Sequence, residues 1–296
     1  MMRPVIPGKR ARLLGVTLIE LAVTIALVGI VAALIVNFAM PVRSYIDTSR
    51  RAALADAADT ALRRIGRDLH LALPNSVRVS SSGGIQYLEF MLVRAGGRYR
   101  AEADTAVGAN TCGTTAGDVL DIGAADTCFV TLGDVASVGQ VAAGTDYLVV
   151  YNLPYGTPNA DAYEFPGTGG NKSLISGAVN GAGVDRFTFA SNTFGYESPG
   201  KRFFVIEGPV TFACNPTAGT LTRHKGYAIS ASPAPPSGGS SALMVGNVKD
   251  CSFAYSSAAS QGSGLVTLWL ELKMLDSRGS EETVSLLHAV HVNNVP

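Results

Sequence analysis

From Leu21 to Met40 the chain carries no charged residue, twenty positions in a row. At about 1.5 Å per residue such a helix spans about 30 Å, the thickness of a bilayer's hydrocarbon core. Beyond Met40 the apolar pattern becomes one-sided. Leu54, Ala58, Ala61, Leu62, Ile65, Leu69 and Leu73 recur at spacings of three and four, a stripe along one helix face. Asp47 and Arg51, then Asp59 and Arg63, are acid-first pairs four apart that support the same helix. Pro74 cannot continue the pattern, and Pro41 predicts a bend between the two halves. These positions predict a helix over 16–73, transmembrane over 21–40 and amphipathic over 42–73, its second half packed on the chain's own head.

After Asn75 the period shortens to two. Val266, Leu268, Leu270, Leu272 and Met274 alternate with Thr267, Trp269, Glu271 and Lys273. Ser277-Arg278-Gly279-Ser280 reads as a turn, and Thr283 to Val292 returns with Val284, Leu286, His288, Val290 and Val292 on one face. The pair predicts an antiparallel hairpin. Further strands are expected at Ile85 to Val93, Asp146 to Leu153, Arg186 to Ala190, Arg202 to Glu207 and Val210 to Cys214. Gly-, Pro- and Ser-rich loops lie at 154–172 and 232–241. No repeat and no second composition regime interrupts 74–296, so this is one β-rich head. A long helix followed by antiparallel strands is an α+β class.

Composition sharpens this in three ways. Of the 296 residues 47% are hydrophobic and only 16% charged, against roughly 25% charged in an average domain, so a disordered chain is excluded. Basic and acidic residues number 23 each, which leaves no bulk electrostatic case for a nucleic-acid partner. The charge is nevertheless uneven. Arg3, Lys9, Arg10 and Arg12 precede the apolar run with no acid among them; without these four, 19 basic residues face 23 acidic ones. By the positive-inside rule this puts the N-terminus in the cytoplasm and everything after Met40 across the membrane. The apolar run exceeds the 7–15 residues of a secretory signal, and Asn37-Phe38-Ala39 is a poor match to its cleavage site. A plain anchor and a buried core helix are the other bland readings.

Glu20 separates these readings. A carboxylate at the edge of hydrocarbon costs roughly 2.5–3.5 kcal/mol on insertion scales and calls for a partner. Cleavage after Gly15 creates an α-amino group on Val16, one helical turn before Glu20 and of opposite sign. The run Gly15-Val16-Thr17-Leu18-Ile19-Glu20-Leu21 resembles the cleavage and N-methylation motif of type IV pilins, with Val16 where Phe is commonest. The resemblance implies a leader at 1–15 removed by the prepilin peptidase between Gly15 and Val16, and an assembly role for Glu20. It implies a pilin-like fold, with a long helix partly in the membrane and packed on an antiparallel head. Ala22 and Ala26, then Gly29 and Ala33, have the spacing that lets membrane helices approach closely.

The four cysteines, Cys112, Cys128, Cys214 and Cys251, all follow the apolar run, and in an oxidising periplasm they pair. Three pairings are open to them; Cys112 with Cys128 and Cys214 with Cys251 is the local one. No two of them stand at zinc-ligand spacing. Other chemistry is thin. His288 and His291 fall on opposite faces of one strand. Gly167 to Ser173 lacks the glycines of a phosphate loop. Asp118, Asp121 and Asp126 lack the order of a calcium loop. No cofactor, metal or catalytic residue is expected.

Within the pilin superfamily, Asp56 to Arg64, Leu71 to Ser76, Gly97 to Arg100, Ser198 to Phe203, Gly208 to Val210 and Val290 to Pro296 resemble the minor pilins of MSHA (mannose-sensitive haemagglutinin) pilus biogenesis. That implies a structural subunit, not an enzyme, whose partners are other major and minor pilins, the prepilin peptidase, and the inner-membrane assembly machinery. A minor pseudopilin of type II secretion shares the same motif, helix and head. A membrane-tethered periplasmic enzyme or binding module is the reading from a different class, and a polar pocket with a strongly perturbed acid or histidine is its mark.

Overall fold

The computed structural model describes residues 15–103, 112, 119–165, 169–181, 183–233, 235–260 and 262–296, with the side chains of 37–44 and 258–260 outside the description. The chain divides between Arg51 and Ala52 into two compact units. Helix α1, Leu18–Leu69, runs through that division, and its helical assignment passes Pro41 without interruption. The bend expected there falls among the residues whose side chains are not described.

The helix is shorter at both ends than the sequence predicts. At its start, the Thr17 hydroxyl accepts the Glu20 amide at 3.3 Å and the Thr17 carbonyl accepts the Leu21 amide at 3.1 Å, so Thr17 is the N-cap. At its end, Leu71 and Ala72 donate to the carbonyls three residues back, at 3.0 and 3.1 Å, closing a tight final turn. Pro74 disfavours helical backbone at the residue before it, and the chain turns extended. The Leu73 amide then donates to Met91 and the Leu71 carbonyl accepts from Val93, both at 2.8 Å, so 71–73 joins the edge of a strand instead of the helix.

Twelve strands follow among the described residues: β1 Arg78–Ser82, β2 Ile85–Arg98, β3 Asp126–Val130, β4 Tyr147–Val150, β5 Lys172–Val179, β6 Arg186–Asn192, β7 Arg202–Asn215, β8 Thr220–Lys225, β9 Ser240–Gly246, β10 Val248–Ser260, β11 Ser263–Leu275 and β12 Glu281–Asn293. All pair antiparallel, in a large sheet ordered β1-β2-β7-β4-β5-β6-β3 with β8 and β9 branching from β7, and in a separate sheet β10-β11-β12. The two strands expected at 202–207 and 210–214 are one strand, β7. Its first half pairs with β4 and its second with β8, while β2 follows it along the other edge. The fork falls at Glu207-Gly208-Pro209. Gly208 has φ 120°, a conformation few side chains accept, and Pro209 has no amide to donate. Bulges leave Glu207 and Arg94 unmatched in the β2–β7 register, and the two ion-pair at 3.1 Å with Asp146 also 2.7 Å from Arg94.

The predicted hairpin is present as β11 and β12, thirteen matched pairs from Ser263–Asn293 to Leu275–Glu281 without a bulge. Its turn is held by Asp276, whose carboxylate accepts the amides of Arg278 and Ser280 at 2.8 and 2.7 Å.

The head-proximal part of α1 buries the predicted stripe. Leu54, Ala58, Ala61, Leu62, Ile65 and Leu69 sit in one cluster with Leu88 and Phe90 of β2, Phe212 of β7, and Val266, Leu268, Leu270 and Val290 of the smaller sheet. One helix face thus closes the core of both sheets. At Gly66 a methyl group would already touch Val290 and His288, at 3.5 and 3.6 Å. Arg223 of β8 grips Asp68 at 2.7 Å. A second, aromatic cluster around Phe129, Phe187, Phe189, Phe194 and Phe203 holds the far end of the large sheet.

Candidate functional site

Three features converge on the segment that opens the described chain. Gly15, Val16 and Thr17 precede the helix outside regular secondary structure and are exposed, and a Cβ on Gly15 would meet nothing within 4 Å. Glu20 stands in the first turn of α1, where the free amides of a helix N-terminus favour negative charge. From Leu18 to Val36 follow 19 residues of helix long and apolar enough to cross a membrane, none of it buried inside the protein. Within Leu21–Val36 the single polar side chain is Thr24, whose hydroxyl donates to the Leu21 carbonyl at 2.9 Å and so spends its donor inside the helix. Ala22, Ala26, Gly29 and Ala33 are exposed along the same stretch.

Hydropathy alone does not reveal the capping role of Thr17, yet a local signal for it is present. Thr17-Leu18-Ile19-Glu20 has the Ser/Thr-x-x-Glu spacing of a capping box directly before an apolar run. The consequence for Glu20 is specific. Its amide is fixed by the cap and its carboxylate is placed at the positive end of the helix, before any new amine is considered. Val16 lies just outside the first turn, so its amino nitrogen is free of the helix ladder.

The disulfides are Cys112–Cys128 and Cys214–Cys251, the local pairing of the three. Cys214 of β7 and Cys251 of β10 belong to different sheets, and their bond staples the sheets beneath the helix in the main core cluster. Cys128 lies on β3 at the end of the large sheet.

The head also holds a buried polar cluster that periodicity does not reveal. Arg78 of β1 and Glu89 of β2 are matched across the strand pair and ion-pair at 2.8 Å with side chains 5% and 6% exposed. The guanidinium donates to the carbonyls of Ser230 and Ala231 at 3.0 and 3.1 Å and lies 3.6 Å from the Tyr163 ring centre. Tyr227 donates to Glu89 at 3.1 Å and shares a close contact with Thr211. Tyr163 donates to the Ser76 carbonyl at 2.9 Å. Burial, and then the neighbouring Glu89 charge, push the phenols of Tyr163 and Tyr227 well above their ordinary range. Each named polar group has a partner within the protein, so the cluster pins the 154–165 and 226–232 loops onto β1 and β2. Removing one member of such a pair typically costs about 3–5 kcal/mol.

The remaining candidates from the sequence are dispersed. His288 faces the helix and His291 faces solvent. The Asp126 carboxylate is taken by the amides of Asp121, Thr127 and Cys128, and Asp118 lies outside the described residues. Lys172 opens β5 with its ammonium over the Phe165 ring at 3.7 Å; burial lowers its pKa to about 8. Gly167 and Thr168 lie outside the described residues. Among the described residues no group of three His, Cys, Asp or Glu side chains is placed to hold a metal. No family model, curated protein or solved structure matches the chain.

Proposed function

We propose that this chain is a minor pilin-like structural subunit, matured by the prepilin peptidase between Gly15 and Val16 and taken up into a type IV pilus of the MSHA type. The observation that supports it most is the order of features in one helix. An accessible glycine leads into a capped helix start, Glu20 sits one turn on, an exposed apolar span follows, and an amphipathic half is buried in the head. In this reading the N-terminus is cytoplasmic, the span rests in the inner membrane, and the disulfide-bearing head is periplasmic. Its partners are major and minor pilins and the membrane assembly machinery.

The mechanism assigns separate work to Gly15 and Glu20. A peptidase must bring the backbone at the membrane face into its active site, and Gly15 presents backbone with no side chain in the way. The cut removes Arg3, Lys9, Arg10 and Arg12, the charges that hold the leader in the cytoplasm. It also creates the Val16 ammonium, which a carboxylate at Glu20, of this subunit or a neighbour, offsets once the helix leaves the bilayer for an apolar filament core. Glu20→Gln is therefore processed normally but enters pili poorly, seen as a normal gel shift with a depleted subunit in sheared pili. Normal incorporation of Glu20→Gln leaves Glu20 with only its helix-start role. Deletion of the chain reduces piliation; loss of protein secretion with intact pili assigns it to the type II secretion pseudopilins instead.

A further inference from the structure

We infer that β12 is a self-association edge, pairing antiparallel with β12 of a second copy so that the three-stranded sheets of two heads join into one of six strands. The inference stands on the head alone and does not depend on the pilus reading. β12 is the terminal strand of its sheet, so among the described residues one full edge of thirteen residues has no strand partner. Proteins normally blunt such an edge with a bulge, a proline, an inward charge or short length. β12 is long and has no bulge and no proline, and its one inward-facing acid, Glu282, stands at its far end. Its register with β11 is unbroken, its sequence contains no Pro, Lys or Arg, and its acids are confined to Glu281 and Glu282 at one end.

The strand's own pattern selects a second copy as the occupant. A full-length antiparallel pair of β12 with itself centres on Leu287, the midpoint of Glu281–Asn293, and Leu287 is 68% exposed. In that register Leu287 meets Leu287 of the other copy. On β11 its cross-strand neighbour is Trp269, the sole tryptophan, so an apolar row of Trp269, Leu287, and the same two residues of the second copy crosses the junction. Ser285 meets Ala289, Thr283 meets His291, and Glu281 meets Asn293; no acid faces an acid. A parallel pairing in register sets both glutamates against their own copies, which like-charge repulsion opposes.

The flank of the edge fits the same occupant. An open groove of about 480 Å³ lies between α1 and the inner face of β12, lined by Thr60, Arg63, Gly66, Arg67, His70 and His288. Its ionisable side chains are all basic. The second copy's β12 brings Leu286 opposite His288 on that inner face, an apolar group for an apolar-floored groove. A full pairing adds about a dozen backbone hydrogen bonds across the junction.

The test uses the full chain purified in detergent. Among the described residues every native cysteine is in a disulfide, so an introduced cysteine is the free thiol. Directly opposed residues place their Cβ atoms about 4.5–5.5 Å apart. Leu287→Cys, under mild oxidation, is expected to double the apparent mass on a non-reducing gel, while Thr283→Cys, whose two copies are eight positions apart in this register, stays at single mass. Mixing Thr283→Cys with His291→Cys is expected to restore the doubled band. Leu287→Lys, exposed and therefore harmless to folding, is expected to convert a two-chain mass in light scattering to a one-chain mass. Cross-linking of Leu287→Cys no stronger than that of Thr283→Cys overturns the proposal, as does a one-chain mass for the unaltered protein.

Discussion

The two halves of α1 carry their apolar residues differently and behave oppositely. Over Leu18–Val36 Leu, Ile and Val point in every direction and all of them are exposed. Over Ala52–Leu69 they are confined to one stripe, and that stripe is buried while Asp59 and Arg63 pair at 2.6 Å on the solvent side. Burial in the protein asks for one apolar face; burial in lipid asks for all of them, because no side of the helix meets water. The difference lies in both number and arrangement: twelve of the nineteen residues of Leu18–Val36 are Leu, Ile or Val, against four of the eighteen of Ala52–Leu69.

Substitutions in the stripe mark the contrast most strongly. Ile65→Ala leaves a cavity between the helix and both sheets and is expected to cost the head about 2–5 kcal/mol. Ile30→Ala, in the exposed half, is expected to change head stability by less than about 0.5 kcal/mol. Denaturant titration of both variants in the same detergent checks the pair, and a similar loss from each breaks the division.

Alkaline titration sharpens it next, because the groups that respond are all in the head. Tyr99 is pushed up to about 12 by burial, and Tyr163 and Tyr227 are raised as well. A raised phenol stabilises the fold fully below the ordinary value of 10, and that stability is lost as pH climbs through the folded value. Lys172 works in the other direction. Lowered from 10.5 to about 8, it makes the fold gain stability between those values, since only the unfolded chain still holds the proton. Unfolding free energy is expected to rise modestly from about pH 8 to 10 and fall above it, with Lys172→Met removing the rise.

The smallest effect belongs to the outward face of the buried half. Asp59→Ala breaks an exposed pair and is expected to cost a few tenths of a kcal/mol, within reach of a double-mutant cycle with Arg63.

What the sequence made legible follows the same division. The stripe from Leu54 to Leu69 and the β11–β12 hairpin are repeating patterns several turns or residues long and are where they were expected, and the apolar span expected over 21–40 is described as apolar helix over Leu18–Val36. The strands that escaped notice, β1, β3, β5, β8, β9 and β10, are short, rich in Ser, Gly or Thr, or half exposed, and their partners decide them more than their own residues do. β8 shows this: Thr220–Lys225 has little apolar pattern and becomes a strand because Gly208 and Pro209 release the edge of β7. The Arg78–Glu89–Tyr227 cluster was invisible for a related reason, since its members come from segments up to 149 positions apart. Thr17 was missed where the signal was local and present; a capping box read as part of a processing motif hid the helix start.

The mass of the mature N-terminus tests the central claim most directly. Expressed with an active prepilin peptidase, the chain is expected to begin at Val16, with or without a methyl group on its amine; without the peptidase it is expected to retain Arg3 to Arg12. An intact leader in both cases, or a new N-terminus beyond the apolar span, contradicts the account.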